Sequence, residues 1–309
     1  MDTIKECKLL VTYFKHSSLN SKLENSLKQE VKTRWNSKLE MLESIYNQFE
    51  EVSELLLEKG ELNRIENIDT NVLKILIDFL KKFKEASDFL EGSKYPTLHM
   101  VIPWYKILMD HCKVNISDND ILIQIKNVVE QIMKNKLKIE NIHKIAVFFN
   151  PKMKQLKVLE QSDALWVKNQ VKNQCADLIS KFINNDSDDS VTTVQERPSK
   201  RPRKKSKKTT DFSQYYDSSS EEEDEDEVDQ YLKLKVSKDK DLNILEWWNN
   251  HKNEFSALAI LSSYYLAIPA SSASSEREFS AAGQTISERR TNLNPETIDS
   301  ILILHSSLQ

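Results

Sequence analysis

The chain has 309 residues, 39% hydrophobic and 30% charged, and its 44 basic and 48 acidic side chains leave a net charge of −4. That length suggests about two domains and can bury a core, while the composition is polar for a compact globule yet too apolar for disorder throughout. Only 3 glycines argue against glycine-rich phosphate loops, dinucleotide-binding turns and hairpin-dense β folds, which all need left-handed backbone positions.

No apolar run approaches the roughly 18 residues that span a bilayer, and the opening MDTIKECKLL shows no signal-peptide pattern. A nuclear or cytosolic protein with no membrane partner is expected. Cys7, Cys112 and Cys175 are far apart and odd in number, which predicts free thiols rather than a disulfide framework or zinc knuckle. His111 beside Cys112 makes no metal pair, because adjacent helical residues point to different sides. No metal site and no cofactor are expected.

Residues 1–184 read as amphipathic helices. Ile4, Cys7, Val11 and Phe14 share one helical face. Leu39, Leu42, Tyr46, Phe49, Val52 and Leu56 form a continuous stripe from Asn36, with Ser37 and Glu40 at capping-box spacing. Val72, Leu76, Phe79, Phe83, Ala86 and Leu90 make a third stripe behind the cap candidates Asp69 and Thr70. Ile121, Ile125, Val128 and Ile132 continue the pattern after Asp118, and a last helix covers about 161–183. The segments KIAVFFN (144–150) and SILILHS (300–306) are compatible with strand or helix, and helix is favoured for both.

Residues 185–230 break the pattern. A basic run, RPSKRPRKKSKK (197–208), precedes SSSEEEDEDEVD (218–229). With almost no aliphatic side chains the segment cannot offset its ordering entropy by burial, so a disordered linker is expected. Lys200, Arg201, Arg203, Lys204, Lys205, Lys207 and Lys208 read as a nuclear localisation signal or a nucleic-acid patch. Order is expected to return near Tyr231.

The most informative stretch is residues 245–308. It carries the paired Trp247 and Trp248, the block YLAIPASSASSEREFS (265–280), RRTNL (289–293) and a closing apolar helix. It closely resembles the C-terminal dimerisation region of hAT-family transposases and of the BED-finger proteins derived from them. KTRWNSKLEML (32–42) looks like the family's TRWNS element, and KIAVFFNPKMKQL (144–156) resembles the segment that follows it more weakly.

The resemblance implies a split RNase H-like core interrupted by a helical insertion domain. Three carboxylates would hold two divalent metals for DNA cleavage. Glu276 in SSEREF matches the family's glutamate. Trp35, with Arg34, matches the element that supports a flipped or unpaired DNA end, where an aromatic face can stack on a base. The two aspartates would lie upstream of the insertion, in a stretch this sequence does not contain, and no paired-Cys, paired-His spacing marks a BED finger. Glu276 is therefore expected to be orphaned and the chain not to be an enzyme. Ser274 or Ser275 are the expected caps of its helix, on which Glu276, Phe279, Ser280 and Gly283 share a face and Arg277 points elsewhere. The final helix after Pro295 offers Ile298, Ile301 and Leu302.

The expected fold is all-α: a helical insertion-type domain (1–184), a disordered charged linker (185–230) and a dimerisation region (231–309). The expected function is that of a transposon-derived, inactive nuclear protein. Dimerisation, with itself or a related hAT protein, would use Trp247, Trp248, Phe279, Ile298, Ile301 and Leu302. Two alternatives stand beside it. One is a transposase fragment whose aspartates come from a missing upstream part. The other is non-specific nucleic-acid binding through the basic run, with DNA as partner and steep salt dependence.

Overall fold

The computed structural model describes residues 2–31, 35–185, 226–236, 242–285 and 294–307. All regular elements among them are helices, and they fall into two compact units. One is Met1–His143 with Ile268–Gln309, the other Lys144–Ala267. This division differs from one at 184 and 231, because the segment after the charged run packs with the helices before it. The basic run 197–208 and the element RRTNL lie outside the described residues.

In the first unit, α1 (Asp2–His16), α2 (Trp35–Asn47), α3 (Phe49–Lys59) and the first half of α4 (Thr70–Leu90) bury one core. Cys7, Val11 and Phe14 are buried on α1 at the expected spacing, as are Leu39, Leu42, Val52 and Leu56 on α2 and α3. The expected continuous helix is instead two, interrupted at Gln48 (φ −107°, ψ 13°). The expected capping box does not form either. Ser37 lies within α2, where its hydroxyl accepts from Val31 N–H at 2.8 Å and donates to Val31 C=O at 3.1 Å. α3 stops at Gly60, whose φ of 69° suits glycine.

Asp69 caps α4, its carboxylate accepting from the backbone of Asn71 and Val72. The buried face is Leu73, Ile77, Phe79 and Ala86, turned from the expected Val72–Leu76 line over the first half. The helix changes neighbours along its length. Leu73 and Ile77 join the α1–α3 core, whereas Phe79 and Ala86 pack against α5 (Val101–His111) and α6 (Asp120–Lys136). On α6 the expected stripe is corrected. Ile121, Val128 and Ile132 are exposed, while Leu122, Ile125, Val129 and Met133 face the core. Both lines keep helical spacing, so period alone does not choose between them. His111 Nε2 donates to Phe79 C=O at 3.0 Å, and its ring stacks on Phe79. The unit closes with α12 (Ala273–Thr285) and α13 (Pro295–Ser307), which pack on each other.

The second unit contains the end of α7 (Asn141–Phe148), then α8 (Gln161–Asn185), α9 (Glu227–Lys233), α10 (Ile244–His251) and α11 (Ser256–Leu266). KIAVFFN is helical and buried, as favoured. Its core is aromatic. The Tyr231 ring lies 5.2 Å from those of Phe148 and Trp248, and Phe149 lies 5.9 Å from Trp248. Two buried polar tips find carbonyls: Tyr231 Oη donates to Phe148 O at 3.1 Å, and Trp248 Nε1 to Phe149 O at 2.8 Å.

The end of the acidic run is helical and held down by charge. Lys172 pairs with Asp226 at 2.9 Å and Asp229 at 2.6 Å. The Glu227 carboxylate caps α11, accepting from the Ser256 hydroxyl and from Ala257 and Leu258 N–H. Lys154 donates to the Tyr231 and Leu234 carbonyls at the end of α9. Burial lowers its pKa to about 8, which still leaves it charged at neutral pH. The thiols are free and buried; desolvation pushes Cys7 and Cys175 up to about 12, so both are inert as nucleophiles.

Candidate functional site

The first unit brings Trp35 and Glu276 to one cleft, although 240 residues of chain separate them. Two local devices place Trp35. The stretch before it runs along α2 and α3 through side-chain bonds: Glu24 N–H to the Glu51 carboxylate at 3.1 Å, Lys28 N–H to Ser44 Oγ at 3.0 Å, and the double Ser37–Val31 contact. Trp35 then opens α2, 41% exposed, with its indole Nε1 donating to Ser87 Oγ on α4 at 3.2 Å. The tip of the ring is spent while much of its surface stays accessible.

Glu276 sits in the first turn of α12, where the helix dipole favours a carboxylate. Ser272 Oγ donates to its Oε1 at 2.7 Å. The helix starts at Ala273, so Ser272, rather than the expected Ser274 or Ser275, holds the cap position. Two long-range bonds moor this end of α12. Ala270 N–H donates to the buried Thr97 Oγ1 at 2.9 Å, and Arg277 Nη2 donates to Glu91 C=O at 3.2 Å. Glu91 is the C-cap residue of α4, where a cation complements the helix dipole.

The cleft encloses about 430 Å³ and is lined by Trp35, Asn36, Glu91, Ser271, Ser272, Ala273, Glu276 and Arg277. Arg277 thus lines it beside Glu276, although the helical spacing directs the two side chains apart. The Oδ1 of Asn36 is buried without a hydrogen-bond partner among the described residues. Arg34 lies outside the described residues. Ser87 and Glu91 carry no sequence signal beyond their i, i+4 spacing on α4.

The described residues do not by themselves fit a divalent-metal centre. Among them, no group of three or more His, Cys, Asp and Glu side chains is placed to hold an ion. Glu276 also shares its cleft with the Arg277 guanidinium, a cation that opposes a second positive charge.

The expected dimerisation residues divide into two kinds. Trp247 and Trp248 are buried in the aromatic core of the second unit, where their rings contact Tyr231, Phe149 and His251. On α12 and α13, Phe279 is 77% exposed, Ile301 is exposed, and Ile298 and Leu302 are half-buried. Ile303, which the pattern did not single out, is 68% exposed. The localisation residues Lys200 to Lys208 lie outside the described residues.

Residues 227–308 match the hAT family C-terminal dimerisation region, which begins where α9 begins. The Transposable element Hobo transposase of Drosophila melanogaster is 27% identical over 87% of this chain and 47% of its own length. Zinc finger protein 618 of Mus musculus is 22% identical over 89% of the chain and 27% of its own length. The zinc finger BED domain-containing protein DAYSLEEPER of Arabidopsis thaliana is 27% identical over 30% of the chain and 13% of its own length. The chain therefore spans about half, or less, of the length of these curated relatives. It is hAT transposase-like and carries the hAT family's C-terminal dimerisation region.

Proposed function

We propose that the chain acts as a transposon-derived nuclear protein that self-associates through residues 227–308. In this reading it holds an unpaired DNA base against Trp35 and does not cut DNA by itself. The match over 227–308 carries it. The exposed Phe279, Ile301 and Ile303 on the last two helices support it, since apolar side chains grouped on neighbouring elements are what a partner covers. A second copy is the partner of choice, because the region is named for that role in the family it matches. The basic run supports nuclear entry. Absence of cutting follows from one matched carboxylate where two-metal chemistry needs several.

Light scattering on the full chain at micromolar concentration tests assembly. A dimer or larger oligomer is expected. Phe279→Asp with Ile303→Asp should weaken it about tenfold to a hundredfold, the scale of one or two buried apolar side chains. A wild-type chain that stays monomeric overturns the reading.

A second reading, that the chain is the helical part of an active transposase whose remaining carboxylates come from elsewhere, is favoured by one observation. Trp35 and Glu276 line the same cleft. Nicking of a transposon-end duplex by this chain alone in Mg²⁺ or Mn²⁺ would support activity, whereas intact DNA supports the proposal.

A further inference from the structure

The cleft contains a hydrogen-bond relay that neither the sequence pattern nor the family match assigns. Trp35 Nε1 donates to Ser87 Oγ at 3.2 Å, and Ser87 Oγ donates to Glu91 Oε1 at 2.6 Å. Glu91 C=O in turn accepts from Arg277, the neighbour of Glu276, at 3.2 Å. An indole N–H can only donate, and a carboxylate can only accept. A hydroxyl between them does both, so its proton has one direction to point. The Ser87–Glu91 bond is charge-assisted and short, hence the stiffest link of the chain.

From this geometry we propose that Ser87 and Glu91 are positioning residues for Trp35. They fix the rotation of an indole that is otherwise 41% exposed and tie it, through the last turn of α4, to the helix bearing Glu276. An aromatic platform binds a base best when its plane is set beforehand, because less rotamer freedom remains to be lost on stacking. The inference rests on the reading that Trp35 stacks an unpaired base. Its structural half, the tie on the indole, stands apart from it.

The experiment uses the full chain with ¹⁵N-labelled indoles. It has 5 tryptophans, and Trp35→Phe identifies the Trp35 resonance. In Ser87→Ala and in Glu91→Ala that resonance should shift and its N–H exchange with water about threefold to tenfold faster, the range of one lost hydrogen bond. The other indoles should hold their positions. Ser87→Thr and Glu91→Gln keep a hydroxyl and an acceptor and should restore the wild-type signal. A Trp35 resonance indifferent to Ser87→Ala and Glu91→Ala overturns the proposal. Should Ser87→Ala disturb all indoles through misfolding, Glu91→Ala and the two conservative variants decide by the same criterion.

A second arm measures quenching of 2-aminopurine placed as an unpaired base at a duplex end. Affinity should fall about threefold to tenfold in Ser87→Ala and return in Ser87→Thr. No quenching by the wild type would overturn the base-holding reading, and the indole resonances would then still judge the positioning role.

Discussion

The paired Trp247 and Trp248 of the second unit and Trp35 of the first are used in opposite ways. In the second, Trp247 and Trp248 are buried among Tyr231, Phe149 and His251, and the Trp248 N–H is spent on the Phe149 carbonyl. In the first, Trp35 also spends its N–H, on Ser87, but leaves much of its ring open to a cleft. A buried indole with a satisfied tip reports packing. An accessible one with a satisfied tip is a ring held in place with its face open. The charged groups differ in the same sense. In the second unit Glu227 and Lys154 close on backbone ends and Lys172 on Asp226 and Asp229, whereas Glu276, Glu91 and Arg277 in the first line an open space.

The largest effect should come from the aromatic core. Trp248→Ala removes a fully packed ring and leaves the Phe149 carbonyl without its donor, so unfolding stability should drop by about 3–5 kcal/mol. Hydrogen exchange should show the lost protection concentrated in residues 144–267. A loss spread evenly over both units would break the comparison.

A smaller and pH-dependent effect belongs to the first unit. His99 is buried, its Nδ1 lacks a partner among the described residues, and burial lowers its pKa to about 4 from an ordinary 6.5. The unfolded chain therefore binds the proton more readily. The stabilisation is fully present above pH 6.5 and is lost as pH falls through about 4. The shift corresponds to on the order of 3 kcal/mol at full extent. Denaturant titrations from pH 7 to pH 4 should show that slope, and His99→Leu should flatten it. An unchanged slope in the variant assigns the acid sensitivity to other groups.

The smallest effect is local. Gly60 has φ 69° and open space where a Cβ would go, so Gly60→Ala meets strain but no clash. It should cost about 1 kcal/mol in equilibrium unfolding. A larger cost would mean that the turn after α3 carries more of the first unit's packing than its open surroundings suggest.

The helical class was legible because apolar spacing reports it directly. Cys7, Val11 and Phe14 go inside as their period requires, and Asp69 caps as its position before a periodic run predicts. On α6 the same reasoning picked Ile121, Val128 and Ile132, which face water, over Leu122, Val129 and Met133, which do not. Two helical lines of similar hydropathy lie side by side there, and only the neighbouring helix decides between them. Trp35 and Glu276 were found by resemblance, whereas Ser87, Glu91 and the role of Arg277 were not. A serine and a glutamate four apart on a helix carry no signal until another helix places an indole over one and a guanidinium against the other's backbone.

What the sequence determined by itself is therefore the local physics: where helices run, where α4 begins and which stretch looks like a dimerisation region. Tertiary structure alone decided that the segment from Asp226 packs with α8 through Lys172, that the paired tryptophans lie inside, and that Trp35 meets Glu276 across one cleft. Hydrophobic period and capping act over a few residues, where the chain itself dictates geometry. A contact across 240 residues depends on how whole helices stack, and no local pattern encodes that.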